Sequence, residues 1–404
     1  MPLAFTSPLR RELVAALPDR PFTIELWDGS RVDPTAGGGP VFRARSPRAV
    51  AHALRAPGQL GIGRAYVSGE LEVDDLDLVM RLLEDWKPPP IAPATRLRLI
   101  AAALAANGLT LPPAPPRAEL RPRGTRRTRE RDARAVRHHY DLPSEFFGLF
   151  LDESMTYSCA IFSRGAETLE QAQEEKLELV CSKLALAAGE RVLDIGCGWG
   201  SFAIHAATRH DVDVVGITLS EPQARVARGR AERAGIGERV EFRVMDYRDL
   251  AGERFDAIAS IGMVEHVGAE RIDLYAERLA ALLPAGGRLL NHGIARLRHG
   301  DPEAGPFSER YVFPDADPLH LSRVLLALER AGFVTEHVEG FAGDYAETLR
   351  HWAARLDAGL DRAIALAGPE RVRVWRLYLR AARNGFESGF TSIYQVRARR
   401  APDG

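Results

Sequence analysis

Lysine is almost missing from this chain. Three lysines (Lys87, Lys176 and Lys183) stand against 51 arginines, so nearly all positive charge is carried by guanidinium groups. Cysteine is as scarce: Cys159, Cys181 and Cys197 lie far apart and form no C-x-x-C pair. That spacing argues against a disulfide scaffold or a zinc ribbon and fits a reducing compartment. Long apolar runs are lacking too. The most apolar stretch, Leu99 to Ala106, is far shorter than the roughly 20 residues a bilayer span needs. The N-terminus MPLAFTSPLRRELVAAL has no basic region followed by an apolar core, so no secretory signal is visible. These absences predict a soluble, cytoplasmic protein and leave contact with a membrane surface open. Neither a metal-ligand cluster nor a Ser-His-Asp pattern stands out, so no metal is expected.

Net charge is also small, −1 over 404 residues, in a chain of ordinary globular composition with 46% apolar and 27% charged residues. The neutral total hides an uneven distribution. Residues 117–137 carry nine arginines (Arg117, Arg121, Arg123, Arg126, Arg127, Arg129, Arg131, Arg134 and Arg137) against Glu119, Glu130 and Asp132. That window is +6 and the rest of the chain −7. Residues 111–130 also contain five prolines and no aromatic residue, a composition that cannot bury a core and reads as a linker. The expected organisation is a small N-terminal α+β domain over 1–115, a Pro/Arg-rich linker over 116–136 and a catalytic domain over 137–404.

Within the first part, residues 22–32 alternate apolar and polar around Asp28-Gly29, which predicts a β-hairpin. Ser46-Pro47 opens a helix, and Asp74 to Leu83 has helical spacing with acids in its first turn. From about residue 190 strands and helices alternate. Strands are predicted at 191–195, 212–217, 240–244, 255–261 and 288–293, with helices over 200–209 and 222–234. Such alternation implies an α/β, doubly wound domain with a parallel, Rossmann-like sheet, whose ligand lies at the carboxyl ends of its first strands.

The strongest local signal is Val192-Leu193-Asp194-Ile195-Gly196-Cys197-Gly198-Trp199-Gly200. A strand containing an acid runs into three alternating glycines that open a helix. Glycine there lets the backbone turn tightly and approach a ligand. The spacing is G-x-G-x-G, not the G-x-G-x-x-G of dinucleotide folds. The carboxylate of Asp194 can pair with a cationic amino-acid moiety in place of a pyrophosphate. Residues 185–295 thus resemble class I S-adenosylmethionine-dependent methyltransferases at their first motif. Asp246 follows the third strand, where such enzymes commonly contact adenine; its other reading is a turn residue. The acid usual after the second strand is missing, and the chain instead reads Thr218-Leu219-Ser220-Glu221-Pro222-Gln223. Hydroxyl and amide groups there can bond the cofactor, and Ser220 is equally suited to cap the next helix.

That departure resembles one family, the cyclopropane-fatty-acyl-phospholipid synthases together with the mycolic acid cyclopropane synthases. The resemblance rests on His139-Tyr140-Asp141-Leu142-Pro143, Met155-Thr156-Tyr157-Ser158-Cys159-Ala160, Gly216-Ile217-Thr218-Leu219-Ser220 and Gly262-Met263-Val264-Glu265-His266. Asn291-His292-Gly293-Ile294, Tyr311-Val312-Phe313-Pro314 and Asp344-Tyr345-Ala346-Glu347 complete it, in family order. Gly61-Ile62-Gly63-Arg64-Ala65-Tyr66 also resembles the bacterial phospholipid enzymes, which carry an extra N-terminal domain that the mycolic acid enzymes lack.

The resemblance implies two small molecules, S-adenosyl-L-methionine and a bicarbonate ion. The cofactor residues are then Tyr157, Ser158, Asp194, Gly196, Gly198, Gly200, Thr218, Leu219, Ser220, Gln223, Asp246 and Tyr247. The bicarbonate ligands fall on the backbone of Cys159 and on Glu265, His292 and Tyr345, with Ile294 nearby. The implied reaction is methylation of the cis double bond of a phospholipid acyl chain, with loss of a proton from the new methyl group to close a cyclopropane. Loss of a different proton instead leaves a methylene branch, which a partner reductase could convert to a methyl branch. The acyl cation needs a dry pocket, and aromatic faces stabilise positive charge by roughly 0.5–2 kcal/mol each. Tyr140, Phe146, Phe147, Phe150, Tyr157 and Phe162 are candidates, with plain core packing as their other reading.

The substrate so implied makes a bilayer surface the expected partner, with the protein peripherally associated with the inner face of the membrane. The arginine run is then either a docking strap for anionic lipid or a solvated linker. No RNA-binding signature accompanies it, so nucleic acid is not an expected partner. The separate N-terminal domain is compatible, by resemblance alone, with a homodimer.

Overall fold

The structure is a computed structural model and describes residues 6–56, 58–108, 113–120, 142–298, 305–312 and 316–402. His139, Tyr140 and Asp141, the arginines from Arg121 to Arg137, and Phe313, Pro314 and Asp315 lie outside the described residues. Two compact units are present. One comprises Met1–Pro122, Ala304–Val312 and Ala367–Ala381; the other comprises Arg123–Glu303, Phe313–Leu366 and Ala382–Gly404.

In the first unit, strands β1 (Thr23–Glu25), β2 (Arg31–Val32), β3 (Val41–Ala44) and β4 (Leu71–Val73) form a sheet in the order β2-β1-β3-β4. β1 and β2 are the hairpin read from the sequence, and Gly29 takes the positive φ of +82° that its turn requires. Helices α1 (Thr6–Ala16), α2 (Pro47–Arg55), α3 (Gln59–Val67), α4 (Leu76–Asp85) and α5 (Pro93–Asn107) accompany it. Ser46 caps α2 by accepting from the Arg48 N–H at 3.1 Å, and Asp75 caps α4 through the Asp77 and Leu78 N–H groups. One cluster of its core is small and rich in alanine: Leu9, Leu26, Ala102, Ala103 and Ala106. Polar groups hold the two later stretches to the rest of this unit. Arg64 donates twice to Glu119, at 2.6 and 2.7 Å, and the Tyr311 hydroxyl donates to Glu119 at 3.0 Å. Arg373 lies over the Tyr66 ring at 5.4 Å, and Arg380 pairs with Asp77 at 3.2 Å.

The second unit is built on β5 (Arg191–Ile195), β6 (Asp213–Thr218), β7 (Val240–Val244), β8 (Ala257–Ile261), β9 (Arg288–Arg296), β10 (Phe333–Gly340) and β11 (Thr391–Arg400). Their order is β10-β11-β9-β8-β5-β6-β7. β5 to β9 run parallel, while β11 is inserted antiparallel between β9 and β10. Alternate side chains enter different cores: Leu193, Val215, Ile258 and Leu289 on one face, Val192, Val214, Ala257 and Leu290 on the other. Burial on both faces explains why these strands read as continuous apolar runs. β9 extends to Arg296, beyond the predicted end at 293, because Thr391 to Ile393 of β11 pair with its last three residues.

Around this sheet lie α6 (Ser144–Gly148), α7 (Leu169–Leu184), α8 (Ser201–His210), α9 (Glu221–Arg233), α10 (Val264–Val267), α11 (Ile272–Leu282), α12 (Leu321–Arg330) and α13 (Ala342–Ala358). A last helical stretch, α14 (Leu360–Glu387), is broken at Gly368, whose φ is +76°, immediately before Pro369. Proline lacks the N–H and clashes with the preceding turn, so the helix cannot run through that point. Among the described residues no helix is long and apolar enough to cross a membrane.

Candidate active site

The strand β5 ends at Ile195, and the chain turns into α8 through three glycines in the left-handed region. Gly196, Gly198 and Gly200 have φ of +80°, +54° and +83°. Each has its own reason to lack a Cβ. At Gly196 it would come within 2.7 Å of the Met263 side chain, and at Gly200 within 2.6 Å of the Phe242 ring. At Gly198 a Cβ would meet nothing within 4 Å, so this peptide faces open space. That space is a cavity at the carboxyl ends of β5, β6 and β8, lined among others by Tyr157, Ser158, Asp194, Gly196, Gly198, Thr218, Leu219, Gln223, Asp246 and Tyr247. Ten of the twelve residues assigned to the cofactor are therefore brought together. Gly200 and Ser220 are not on its wall. Gly200 packs against Phe242, and Ser220 caps α9 by accepting from the Gln223 N–H at 3.4 Å.

One side of the cavity is electrostatically bipolar. Asp194 is 2% exposed, one of its carboxylate oxygens is buried without a hydrogen-bond partner, and burial raises its carboxyl to about 7 against the pull of Lys176. Lys176, 1% exposed, reaches in from α7 and donates to the Ser158 hydroxyl at 3.0 Å. Burial lowers its ammonium to about 8, against the attraction of Asp152, Cys159 and Asp194. One turn earlier on α7, Gln173 donates to the carbonyls of Thr156 and Ser158, at 3.2 and 2.8 Å, and so pins the segment that carries Tyr157. An acid and a base buried in one cavity match the two ends of an α-amino acid. Gly198 leaves room for it, so these residues fit the methionine end of S-adenosylmethionine. Asp246, by contrast, has its carboxylate engaged by Arg248 at 2.5 and 2.9 Å while it lines the wall.

The residues assigned to the anion lie off the cavity wall but are tied to it. Gly262, on the wall, donates its N–H to the His292 carbonyl at 2.8 Å. Glu265, on α10, folds back over β9, where a Cβ on Gly293 would lie 3.3 Å from its Oε2 and 2.1 Å from Val264 Cγ1. Burial lifts the Glu265 carboxyl to about 7, while its own N–H and that of Ile294 favour the carboxylate. Its Oε2 is buried with no hydrogen-bond partner. His292 is fully buried, its Nε2 is likewise unpartnered, and burial with the nearby charges of Lys176 and Lys183 keeps the ring neutral. Phe341 joins the rest. Its carbonyl accepts the Tyr345 N–H at 3.0 Å and the Cys159 thiol at 3.8 Å, and its ring lies 6.3 Å from that of His292. Burial raises the Cys159 thiol well above its ordinary value, which argues against a thiolate role.

The aromatic residues divide. Phe146, Phe147 and Phe150 contact one another, and Phe147 touches both Trp199 and Tyr157, at 4.9 and 5.9 Å. Tyr157 stacks on Trp352 at 5.1 Å, Trp352 meets Tyr345 edge-on, and Tyr345 meets Phe386 at 4.7 Å. A continuous aromatic file thus runs from the glycine turn to Tyr345. Phe162 stands apart, stacked on His351. Sequence reading missed Trp199, Trp352, Phe341 and Phe386 as members, because nothing local marks them. It also missed Lys176, for which a signal existed: two of the chain's three lysines, Lys176 and Lys183, fall seven residues apart on one helix. Among the described residues one group has metal-ligating atoms close together, Cys181, His205 and His210, within 4.8 Å. Glu178 Oε2 lies 3.1 Å from a ring nitrogen of each histidine.

This sheet order, with the antiparallel β11 inserted, and a cofactor cradle at the ends of β5 and β6, define a class I S-adenosylmethionine-dependent methyltransferase. A family model described as mycolic acid cyclopropane synthetase matches residues 127–396, and the chain belongs to that family. It is 38% identical over 407 residues to a probable fatty acid methyltransferase of Mycobacterium tuberculosis, covering 96% of this chain and 93% of that one. To the cyclopropane-fatty-acyl-phospholipid synthase of Escherichia coli it is 34% identical over 344 residues, covering 84% of this chain and 82% of the relative. The crystal structure of mycolic acid cyclopropane synthase CmaA1 with SAH and CTAB superposes with a TM-score of 0.63 at 34% identity, covering 66% of this chain and 98% of that one.

Proposed function

We propose that this enzyme alkylates the double bond of an unsaturated acyl chain in a phospholipid, with a cyclopropane as product. The observation that carries the reading is a pair of buried, unpartnered atoms, an acceptor on Glu265 of α10 and a ring nitrogen on His292 of β9, the strand on which α10 packs. Such orphaned groups are costly unless a ligand completes them. A hydrogen-carbonate anion has one O–H to give and oxygens to receive, which matches that pair. When bound, S-adenosylmethionine supplies an electrophilic methyl group and bicarbonate supplies the base for the proton that leaves. Asp194 and Lys176, with Ser158, hold the two ends of the methionine moiety. Glu265 would accept the hydrogen bond of the anion, His292 and Tyr345 would donate to it, and the Cys159 backbone would complete its contacts, while Ile294 steadies Glu265 through its N–H. The aromatic file from Trp199 to Tyr345 excludes water and offers ring faces to the positive charge on the acyl chain.

A second reading ends in a methylene branch that a partner reductase converts to a methyl branch. It is favoured by the name of the fatty acid methyltransferase relative, which aligns over nearly the whole chain. Both readings begin with the same methyl transfer and differ in which proton is lost.

Membrane contact is part of the proposal. α5 leaves Leu97, Ile100 and Leu104 exposed at helical spacing, with Arg96 and Arg98 beside them, a pattern suited to a lipid surface. The deciding experiment incubates the enzyme with S-adenosylmethionine and oleoyl phospholipid vesicles, then examines the acyl chains by mass spectrometry and NMR. Cyclopropane protons support the first reading and vinylidene protons the second. Unmodified lipid counts against both.

A further inference from the structure

We infer that Gln395 and Lys183 are positioning residues that set the tautomer of His292. The inference rests on the bicarbonate reading for its purpose, though not for its geometry. Gln395 lies on β11 directly opposite His292 on β9, and both side chains are fully buried. The Gln395 amide nitrogen is 3.3 Å from His292 Nδ1, and Gln395 Oε1 is 2.6 Å from Lys183 Nζ. Lys183 comes from α7 and is itself held by Glu339 of β10 at 2.5 Å, with its ammonium 5.1 Å from the centre of the Phe341 ring.

Donor and acceptor chemistry fixes the rest. An ammonium can only donate, so the atom of Gln395 that meets Lys183 is the carbonyl oxygen. The other end of the amide is then NH2, which can only donate to Nδ1. Nδ1 must therefore carry the lone pair. The ring is neutral, since it is buried beside two lysines, so its one proton sits on Nε2. Nε2 is the buried nitrogen with no protein partner. The chain Glu339–Lys183–Gln395–His292 thus presents a fixed, neutral N–H donor at the anion site. The opposite tautomer would present a lone pair there and repel an anion.

The test uses the full-length enzyme labelled with 15N-histidine, with His292→Gln to assign the ring signals. The wild-type spectrum is expected to show a bare Nδ1 and a protonated Nε2. Gln395→Glu places an acceptor opposite Nδ1 and should draw the proton there. Turnover on oleoyl phospholipid vesicles should then fall about 10- to 100-fold, the scale seen for outer partners of functional imidazoles, with SAH affinity unchanged. Lys183→Met frees the amide to rotate and should give both tautomers with a smaller loss. If Gln395→Glu does not fold, the wild-type and Lys183→Met spectra decide. A wild-type ring protonated on Nδ1 overturns the proposal, as does a Gln395→Glu ring with a bare Nε2 that turns over at the wild-type rate. Turnover in carbonate-depleted buffer is read separately. Independence from bicarbonate, with the tautomer switch and its cost intact, would remove the bicarbonate reading and leave the relay standing.

Discussion

Glu265 is a carboxyl held near neutrality by burial, with one oxygen unpartnered, and nothing in its local sequence announces that. If it orients the base, Glu265→Gln should cost about 100-fold or more in turnover, the usual scale for acid–base machinery, while SAH binding survives. Parallel calorimetry and product assays check this, and near-normal turnover in the variant would refute the role. Asp194 and Lys176 make a pH prediction. Burial raises the Asp194 carboxyl to about 7, so below that pH it is protonated and cannot pair with the cofactor ammonium. Lys176 lies at about 8, so above that pH it loses the charge that attracts the cofactor carboxylate. SAH affinity should therefore peak between these values and fall on both sides. Asp194→Asn should abolish the acid limb in titration calorimetry across pH; an unchanged limb assigns it to another group. At this scale the sequence marked Asp194 clearly, because it stands next to the glycines. It marked Lys176 only through the rarity of lysine.

Among elements, α10 and β9 are coupled at Gly293. A Cβ there would lie 2.1 Å from Val264 Cγ1, so alanine forces apart the helix carrying Glu265 and the strand carrying His292. Gly293→Ala is expected to destabilise by about 1–3 kcal/mol, as overpacking does, and to lower turnover with little change in SAH affinity. Urea melts and a paired product assay measure both; equal losses of cofactor affinity and turnover would argue for general damage. The parallel strands and their helices were legible because each is a contiguous run with its own period and turn residues. Ser220 was the ambiguous case, and it resolves as the cap of α9, a role any serine before Glu-Pro-Gln can take. β10, β11, α13 and α14 were not placed by sequence reading. Their alternation follows contacts with distant strands, and the break at Gly368-Pro369 interrupts the helical period.

In the whole molecule, the first unit gathers two stretches from late in the chain: Tyr311 of one donates to Glu119 of the buried Arg64–Glu119 pair, and Arg380 of the other pairs with Asp77. Burial raises the Glu119 carboxyl, and the Arg64 hydrogen bonds more than offset this, so it ends below its usual value. Its stabilisation is then fully present above the unfolded value and lost as pH falls through the folded one. Glu119→Gln leaves Arg64 buried without its counter-charge and should cost about 3–5 kcal/mol, read from denaturant melts near neutral pH. A loss under 1 kcal/mol would mean that the pair is solvated. The arginine run is the second feature at this scale. Neutralising Arg126, Arg127, Arg129 and Arg131 should weaken binding to anionic vesicles by about 1 kcal/mol per residue near the surface, measured by flotation. Unchanged binding together with unchanged activity on lipid would make the run a solvated linker.

By itself the sequence determined the cofactor class and the parallel α/β core. A strand, an acid, three glycines and a helix are contiguous, and their chemistry is local. It also carried the order of the family motifs, from Tyr157 to Tyr345. Only tertiary structure decided how the residues around Cys159 and His292 come together. Phe341 meets Cys159 across 182 positions and Gln395 meets His292 across 103, and both meetings depend on β11 entering antiparallel beside β9. Long-range pairing of that kind leaves no periodic trace in the chain, because each partner is selected by a neighbour that only folding supplies. The same holds for charge: three lysines are a composition, and only once α7 has packed against the sheet do two of them become a buried charge at the cavity, Lys176, and a half-buried one beside Gln395, Lys183.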